Sequence, residues 1–259
     1  MRVLAIMGSP RRNGSGAQAV REIEARLRAE GDVELDVLHL ADVDLQMCRG
    51  CFSCVRNGEG TCPLRDDRAR IEERIEAADG IILVSPGYVQ SVSGLMKNFM
   101  DRMAYTNHRP RFFGKKLMLV ANGGAGLKRT LATMRNAIGG PEVVAELAYT
   151  SPPWPISPAQ EAKRSRKLAA EVSRFRRSIQ ERNMAPSFGN YMRFRFFQAT
   201  SASTAEFLPA DHAYYQGRKG YYYDVRIGLG HRLGAAVLLR LGLFMMRGMA
   251  PYTGREGAE

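Results

Sequence analysis

The sequence predicts an α/β protein built on a doubly wound, five-stranded parallel sheet, followed by a C-terminal extension of mixed structure. Three observations carry this. Short, continuous apolar runs recur at 3–7, 81–84 and 117–121, as strands buried on both faces require. Each run gives way to a loop of small residues and then to apolar residues at helical spacing. The alternation stops at a cluster of prolines, Pro152, Pro153, Pro155 and Pro158.

The first strand ends in Gly8-Ser9-Pro10-Arg11-Arg12-Asn13-Gly14-Ser15-Gly16, after which Ala17, Val20, Ile23 and Leu27 form one helical stripe. Strand, small-residue loop and helix make a layout for holding a phosphate. Glycines leave room, the helix start presents free N–H groups, and Ser and Arg add donors and positive charge. The plainer alternative is a connection capped by Asn13 or Ser15. The loop matches neither common nucleotide fingerprint, which favours a terminal monophosphate.

Residues 33–40 alternate apolar and polar, which predicts a strand nearer the sheet edge, with His39 on its polar phase. Asp66-Asp67 is expected to cap a helix carrying Ile71, Ile75 and Ala78. The second buried run opens into Ser85-Pro86-Gly87-Tyr88-Val89-Gln90-Ser91, and the third into Asn122-Gly123-Gly124-Ala125-Gly126. Ligands of open α/β sheets gather outside the carboxyl ends of the strands, so these loops and the first should face one crevice. Leu95, Met96, Phe99, Met100 and Met103 follow at helical spacing and read as core. A helix over 127–138, a strand over 143–149 and a long helix over 158–183 complete the sheet domain, placed at residues 1–184. The long helix has Leu168, Val172, Phe175 and Ile179 on one stripe and a basic opposite face.

Residues 185–259 form the extension, where Phe188, Tyr191, Phe194, Phe196 and Phe197 alternate with Arg193 and Arg195. Residues 234–249 are rich in Leu and Met, with Arg232, Arg240 and Arg247 within a narrow helical arc. Such a segment is too short to span a bilayer, but it can lie on one or pack in a subunit interface. Net charge is +12, and the excess is uneven: +3 over residues 1–150 and +9 over 151–259. A basic extension suits an anionic membrane or another anionic partner. Nucleic acid is disfavoured, because no recognised binding motif accompanies the aromatic–arginine run. No charged-then-apolar leader is visible, and no apolar run approaches about 18 residues, so the expected location is cytoplasmic, with peripheral membrane contact as a variant.

All four cysteines fall in Cys48-x2-Cys51-x2-Cys54-x7-Cys62. Clustering of this kind in a reducing compartment points to metal or redox work rather than disulfides. The close triplet suits an iron–sulfur cluster better than zinc, whose sites use paired spacing. A cysteine-rich loop that binds nothing is the alternative.

Three separated motifs then resemble one family. Residues 8–15, the cysteine run through 67, and S-P-G-Y-V-Q-S-V-S-G-L-M-K-N-F-M-D-R at 85–102 are similar to the NADPH-dependent FMN reductases, a branch of the flavodoxin-like proteins. The resemblance covers roughly residues 1–150 and also takes in 107–116 and 122–126. It implies a sheet in the order 2-1-3-4-5. It implies FMN, with the phosphate on Ser9, Arg11, Asn13 and Ser15, the ring along Pro86, Gly87, Tyr88, Val89 and Gln90, and Asn122, Gly123 and Gly124 closing the other side. Arg12, Gly14 and Gly16 complete the phosphate loop. The cysteine spacing is similar to that of iron–sulfur flavoproteins, which implies a 4Fe–4S cluster on Cys48, Cys51, Cys54 and Cys62.

The expected function is an FMN-dependent oxidoreductase that passes electrons from NAD(P)H to a small organic acceptor such as a quinone, enone, nitro or azo compound. Tyr88 and His108 are the candidates to donate a proton to a reduced acceptor. The family implies a homodimer or tetramer. The alternatives are an electron-transfer protein using the cluster, and a non-enzymatic module that binds membrane or nucleic acid through its basic tail.

Overall fold

A computed structural model describes residues 1–181 and 183–245. The chain forms two compact units. The first comprises 1–51 and 63–183, and the second comprises 52–62 with the residues from Met184 onward.

In the first unit, β1 (Arg2–Met7), α1 (Ser15–Ala29) and β2 (Glu34–His39) open the chain. After α2 (Ser53–Arg56) of the second unit come α3 (Arg68–Ala77), β3 (Gly80–Gly87), α4 (Gly94–Arg102) and α5 (Tyr105–His108). The unit closes with β4 (Lys116–Gly123), α6 (Leu127–Met134), β5 (Glu142–Thr150) and α7 (Pro158–Glu181). Among the described residues the five strands form one sheet in the order β2-β1-β3-β4-β5, and every pairing is parallel. The expected topology is observed.

Why the strands read as continuous apolar runs is visible in the packing. Val3, Ala5, Met7, Ile82, Val84, Met118 and Val120 meet α1 and α7 on one face. Leu4, Ile6, Ile81, Leu83, Leu117 and Leu119 meet α3, α4 and α6 on the other. Adjacent residues in each strand are therefore both buried, and the period-2 alternation of a half-exposed strand disappears. Met96, Phe99 and Met103 are fully buried, as the core reading of that stripe required.

Two local expectations need correction. The helix after Leu127 ends at Met134 rather than 138: beyond it the bonds tighten to three-residue turns, Asn136 N–H to the Thr133 carbonyl at 3.4 Å and Ala137 N–H to the Met134 carbonyl at 3.0 Å, and Gly139 and Gly140 then pack against backbone. A Cβ at Gly139 would lie 1.9 Å from the Thr106 carbonyl oxygen, and one at Gly140 1.4 Å from that of Arg111. Asp67 stands at the N-cap of α3 but its side chain caps nothing in the helix; its carboxylate accepts from the Asp44 N–H at 3.0 Å.

The second unit holds α2, a 3-10 turn at Glu59–Thr61, α8 (Phe188–Thr200), α9 (Pro209–Tyr215) and α10 (Leu229–Met245). Among the described residues its regular elements are helical, so the mixed extension is corrected to a helical one. Its core is aromatic: the Phe194 ring lies 4.9 Å from that of Tyr222 and 5.4 Å from that of Tyr221, and the buried hydroxyls of Tyr215 and Tyr222 bond at 3.0 Å. Burial pushes the Tyr215 hydroxyl far above its usual range. These rings pack on one another instead of standing out beside the arginines. Residues 246–249 of the Leu/Met segment, Arg247 included, lie outside the described residues. No described helix is long and apolar enough to cross a membrane.

Candidate functional site

The loop after β1 is bound to the neighbouring strand before it reaches its helix. The Gly8 N–H donates to the Val84 carbonyl at 2.8 Å, and the Ser93 hydroxyl donates to the Gly8 carbonyl. Ser93 in turn receives the Met96 N–H at 3.2 Å and gives its own N–H to Ser85 Oγ at 3.0 Å. A side chain at position 8 has no room, since its Cβ would lie 2.9 Å from Met96 Cβ and 3.0 Å from Ser93 Oγ. The loop then curls on itself through Arg11 N–H to Ser9 Oγ and Gly14 N–H to the Arg11 carbonyl.

The start of α1 has what an anion needs. Its N-cap is Gly14, no side chain caps it, and no acidic residue stands in its first turn. Asn13 and Ser15 do not cap it, so that alternative is set aside. The orphan N–H groups and the positive end of the helix dipole remain available. Gly16 is buried there, and its missing side chain leaves the backbone close to Val84 and to Asn122 Oδ1, 3.1 and 3.3 Å from an added Cβ. Asn122 donates through Nδ2 to Ser151 Oγ at 3.2 Å, while its buried Oδ1 has no hydrogen-bond partner. A buried acceptor left bare costs about 1–3 kcal/mol, a cost that a ligand hydroxyl placed there would remove. Tyr149 backs the helix start by donating its hydroxyl to the Ser15 carbonyl at 2.6 Å, and burial raises its pKa so that it stays a neutral donor.

The second and third loops brace each other. Tyr88 and Ser91 exchange backbone bonds of 2.9 and 3.0 Å across a two-residue turn in which Val89 and Gln90 both have positive φ, 49° and 60°. A β-branched residue in that region is strained, and such strain gathers at functional sites. The turn is held by Arg129, which donates to Gln90 Oε1 at 2.6 Å, and by Gly126, whose Cβ would lie 2.7 Å from Gln90 Cβ. Gly123, at φ 150°, presses its backbone against Gly87.

Loops 8–16, 86–90 and 122–124 thus leave the carboxyl ends of three strands that are neighbours in the sheet. Within that group Arg12 is engaged with Asp42, at 2.5 Å, whereas Arg11 forms no ion pair among the described residues. Tyr88, Val89 and Gln90 are exposed at the rim. His108 is not with them. Its helix α5 lies beside 136–139, where Asn107 donates to the Asn136 carbonyl and Gly139 donates to Thr106, at the amino ends of the strands. A strand the length of β3 separates the two edges by roughly 25 Å, so His108 is withdrawn as a proton donor to this crevice.

The cysteine run is shared between the two units. Cys48 and Cys51 belong to the first unit, Cys54 and Cys62 to the second. Among the described residues no group of three or more His, Cys, Asp or Glu side chains is arranged to hold a metal ion.

What the sequence did not disclose is how the first cysteine is anchored. Asn98 of α4 accepts from the Cys48 N–H at 2.9 Å and donates to the Leu45 carbonyl at 2.9 Å. One turn on, Arg102 donates to the Gln46 carbonyl at 2.8 Å and makes a two-pronged contact with Asp66. Both side chains of that pair are almost wholly buried, 2 % and 1 % exposed. The i, i+4 spacing of two polar residues on an otherwise apolar helix face was the available signal.

The profile of the NADPH-dependent FMN reductase family matches residues 1–148. The chain belongs to this family. An iron-sulfur flavoprotein of Archaeoglobus fulgidus is 32% identical over 139 residues, 53% of this chain and 62% of that protein. Another, iron-sulfur flavoprotein MJ1083 of Methanocaldococcus jannaschii, is 43% identical over 102 residues, 39% of this chain and 51% of that protein. The chain therefore spans less than two thirds of the length of either. A solved flavone reductase superposes with a TM-score of 0.52 at 19% identity, over 72% of this chain and 66% of that one, which shows the shared fold. The FMN reductase match ends before α7, so α8, α9 and α10 lie outside it, whereas residues 52–62 of the second unit lie within it.

Proposed function

We propose that this protein is an FMN-dependent oxidoreductase that takes electrons from NAD(P)H and delivers them to a small organic acceptor, of quinone, enone, nitro or azo type. The observation that carries the reading is the bare, buried Asn122 Oδ1 beside the uncapped start of α1. Together with the glycine-lined approach at Gly8 and Gly16, it fits a phosphorylated polyol better than empty space. Bound FMN would supply the hydride and electron chemistry.

The chain's residues supply position. Ser9, Asn13, Ser15, the first-turn N–H groups and Arg11 hold the phosphate; Gly14 and Gly16 let it approach; Arg12 fixes the loop from outside through Asp42. Residues Pro86 to Gln90 and Asn122 to Gly124 line the ring's two sides. Tyr88, half exposed at the rim, is the remaining side-chain candidate to hold a proton for the acceptor. An exposed rim of Tyr88, Val89, Gly124 and Ala125 leaves access for a planar acceptor.

The test is reconstitution. Purified protein is expected to bind one FMN and to oxidise NAD(P)H in the presence of a quinone. A colourless preparation that takes up no FMN sinks the reading. Iron and sulfide analysis of the same anaerobic preparation examines the iron–sulfur alternative, which rests on cysteine spacing and on the names of relatives; about four of each per chain would support it.

A second reading concerns partners, and α10 favours it. Its Ala235 and Leu239 are buried, yet Leu233, Val237, Leu241 and Phe244 on the opposite side are exposed. Residues 225–245 contain Arg226, Arg232 and Arg240 and no acidic residue. A helix apolar on its outer face and bordered only by cations complements an anionic lipid surface rather than a second, equally basic copy. Co-sedimentation with vesicles containing phosphatidylserine is expected, lost in a Leu233→Asp/Val237→Asp variant and weak with neutral vesicles. Equal recovery with both lipid types, or none with either, overturns it.

A further inference from the structure

Beyond the crevice of the three loops, the first unit carries a cavity of about 530 Å3 between the end of β5, the proline cluster and the first turns of α7. It runs on, through shared walls at Tyr149, Thr150 and Trp154, into a second cavity of about 430 Å3 that reaches Ser15 and Gln18 at the start of α1. The volumes are those of ligand sites, which are mostly apolar with a few placed polar groups. One wall is the indole of Trp154, the chain's single tryptophan, 67% exposed and held by no described hydrogen bond. The lining also includes three cations of α7: Lys163, Arg164 and Lys167.

These cations are not equivalent. Arg164 is committed to the acidic groups of the cavity, pairing with Glu22 at 2.6 Å and Glu161 at 2.5 Å, and its guanidinium lies over the Tyr149 ring. One guanidinium thus bonds both carboxylates, and with Lys163 and Lys167 the two cavities are lined by three cations against two anions. Lys163 and Lys167 are one helical turn apart, and neither forms an ion pair among the described residues; Lys167 only reaches the Ala148 carbonyl, at 3.3 Å. An exposed indole that lines the same cavity as two ammonium groups without ion pairs suits a purine that carries a phosphate. Stacking holds the base, and the paired charges favour a dianion over a neutral hydroxyl.

We propose that this cavity receives the adenosine 2′,5′-bisphosphate end of NADPH, with the adenine on Trp154 and the 2′-phosphate between Lys163 and Lys167. The proposal rests on the reductase reading above and makes these two lysines the residues that select NADPH over NADH. The continuity of the cavity with Ser151, which bonds Asn122, links it to the loop where the nicotinamide must arrive.

Because every indole photon comes from Trp154, fluorescence reads this site directly. Titrating the FMN-loaded full-length chain with 2′,5′-ADP is expected to change its emission along a saturable curve. 5′-AMP should need about tenfold more, and inorganic phosphate at equal ionic strength should change nothing. A Lys163→Ala/Lys167→Ala variant, altered only on the surface of α7, should bind 2′,5′-ADP about tenfold more weakly. It should also raise KM for NADPH while leaving KM for NADH, kcat and FMN content unchanged. Equal affinity for 2′,5′-ADP and 5′-AMP would move the phosphate contact to the 5′ position and overturn the lysine assignment. No saturable change, or a double variant indistinguishable from the parent, overturns the site altogether. A chain that binds 2′,5′-ADP but oxidises no NADPH would instead overturn the reductase reading while leaving the nucleotide site standing.

Discussion

Replacing Arg102 with methionine is expected to cost about 3–5 kcal/mol of folding stability, because it strands the Asp66 carboxylate in a buried site. The pair is 2 % and 1 % exposed, and Asp66 also receives the Gln46 N–H at 3.0 Å and the Arg68 N–H at 3.2 Å. The loss should appear as a lower urea midpoint with unchanged slope. An Arg102→Met/Asp66→Leu double variant should recover much of it, since removing both charges removes the desolvation problem as well. If the single variant unfolds at the parent midpoint, the pair is not the anchor described above.

The same pair sets an acid limit. Burial by itself would raise the Asp66 pKa, but the Arg102 hydrogen bond, the backbone N–H of Arg68 and the Arg102 charge outweigh it and hold the carboxyl below its ordinary range. A depressed carboxyl contributes stability that is complete above the unfolded pKa, near 4, and disappears as pH falls through the folded value. The stability gap between the parent and an Asp66→Asn variant should therefore be largest near neutrality and close in acid. A gap that widens toward low pH would contradict the sign.

Replacing Gly8 with valine is expected to abolish FMN retention while leaving most of the sheet intact. The new Cβ would meet Met96 Cβ at 2.9 Å, Ser93 Oγ at 3.0 Å and the Val84 carbonyl at 3.2 Å, so loop and helix must separate. Overpacking of this kind costs about 1–3 kcal/mol, which a folded domain survives. The loop proposed to hold the phosphate, however, hangs on the bonds between Gly8, Val84 and Ser93 and would lose its place. Bound FMN after gel filtration should fall at least about tenfold, with far-UV circular dichroism preserved. Gly94→Ala is the control, because nothing lies within 4 Å of a Cβ there. Parental FMN content in Gly8→Val would separate this junction from flavin binding.

The legible part of the site was its backbone. Glycines, small residues and a helix start mark where a chain must come close to a phosphate, and they do so within a few residues of sequence. Side-chain partnerships were less legible. Arg12 reads as a phosphate ligand until Asp42, 30 residues away, is seen to hold it. His108 reads as an acid for the crevice until the direction of α4 carries it to the far edge. Asp66 reads as a helix cap and does receive the Arg68 N–H at the start of α3, but the sequence does not show that it is also the buried partner of Arg102, 36 residues later.

The sequence by itself determined the α/β class, the parallel sheet and the positions of the small-residue loops at the carboxyl ends of its strands, because continuous apolar runs and small-residue turns are local consequences of burial on both faces. Only the tertiary structure decided which polar groups meet: the Asp66–Arg102 lock, the bare Asn122 oxygen, and the division of the cysteine run between two units. Those depend on distances between segments far apart in the chain, and no pattern of neighbouring residues encodes a distance of that kind.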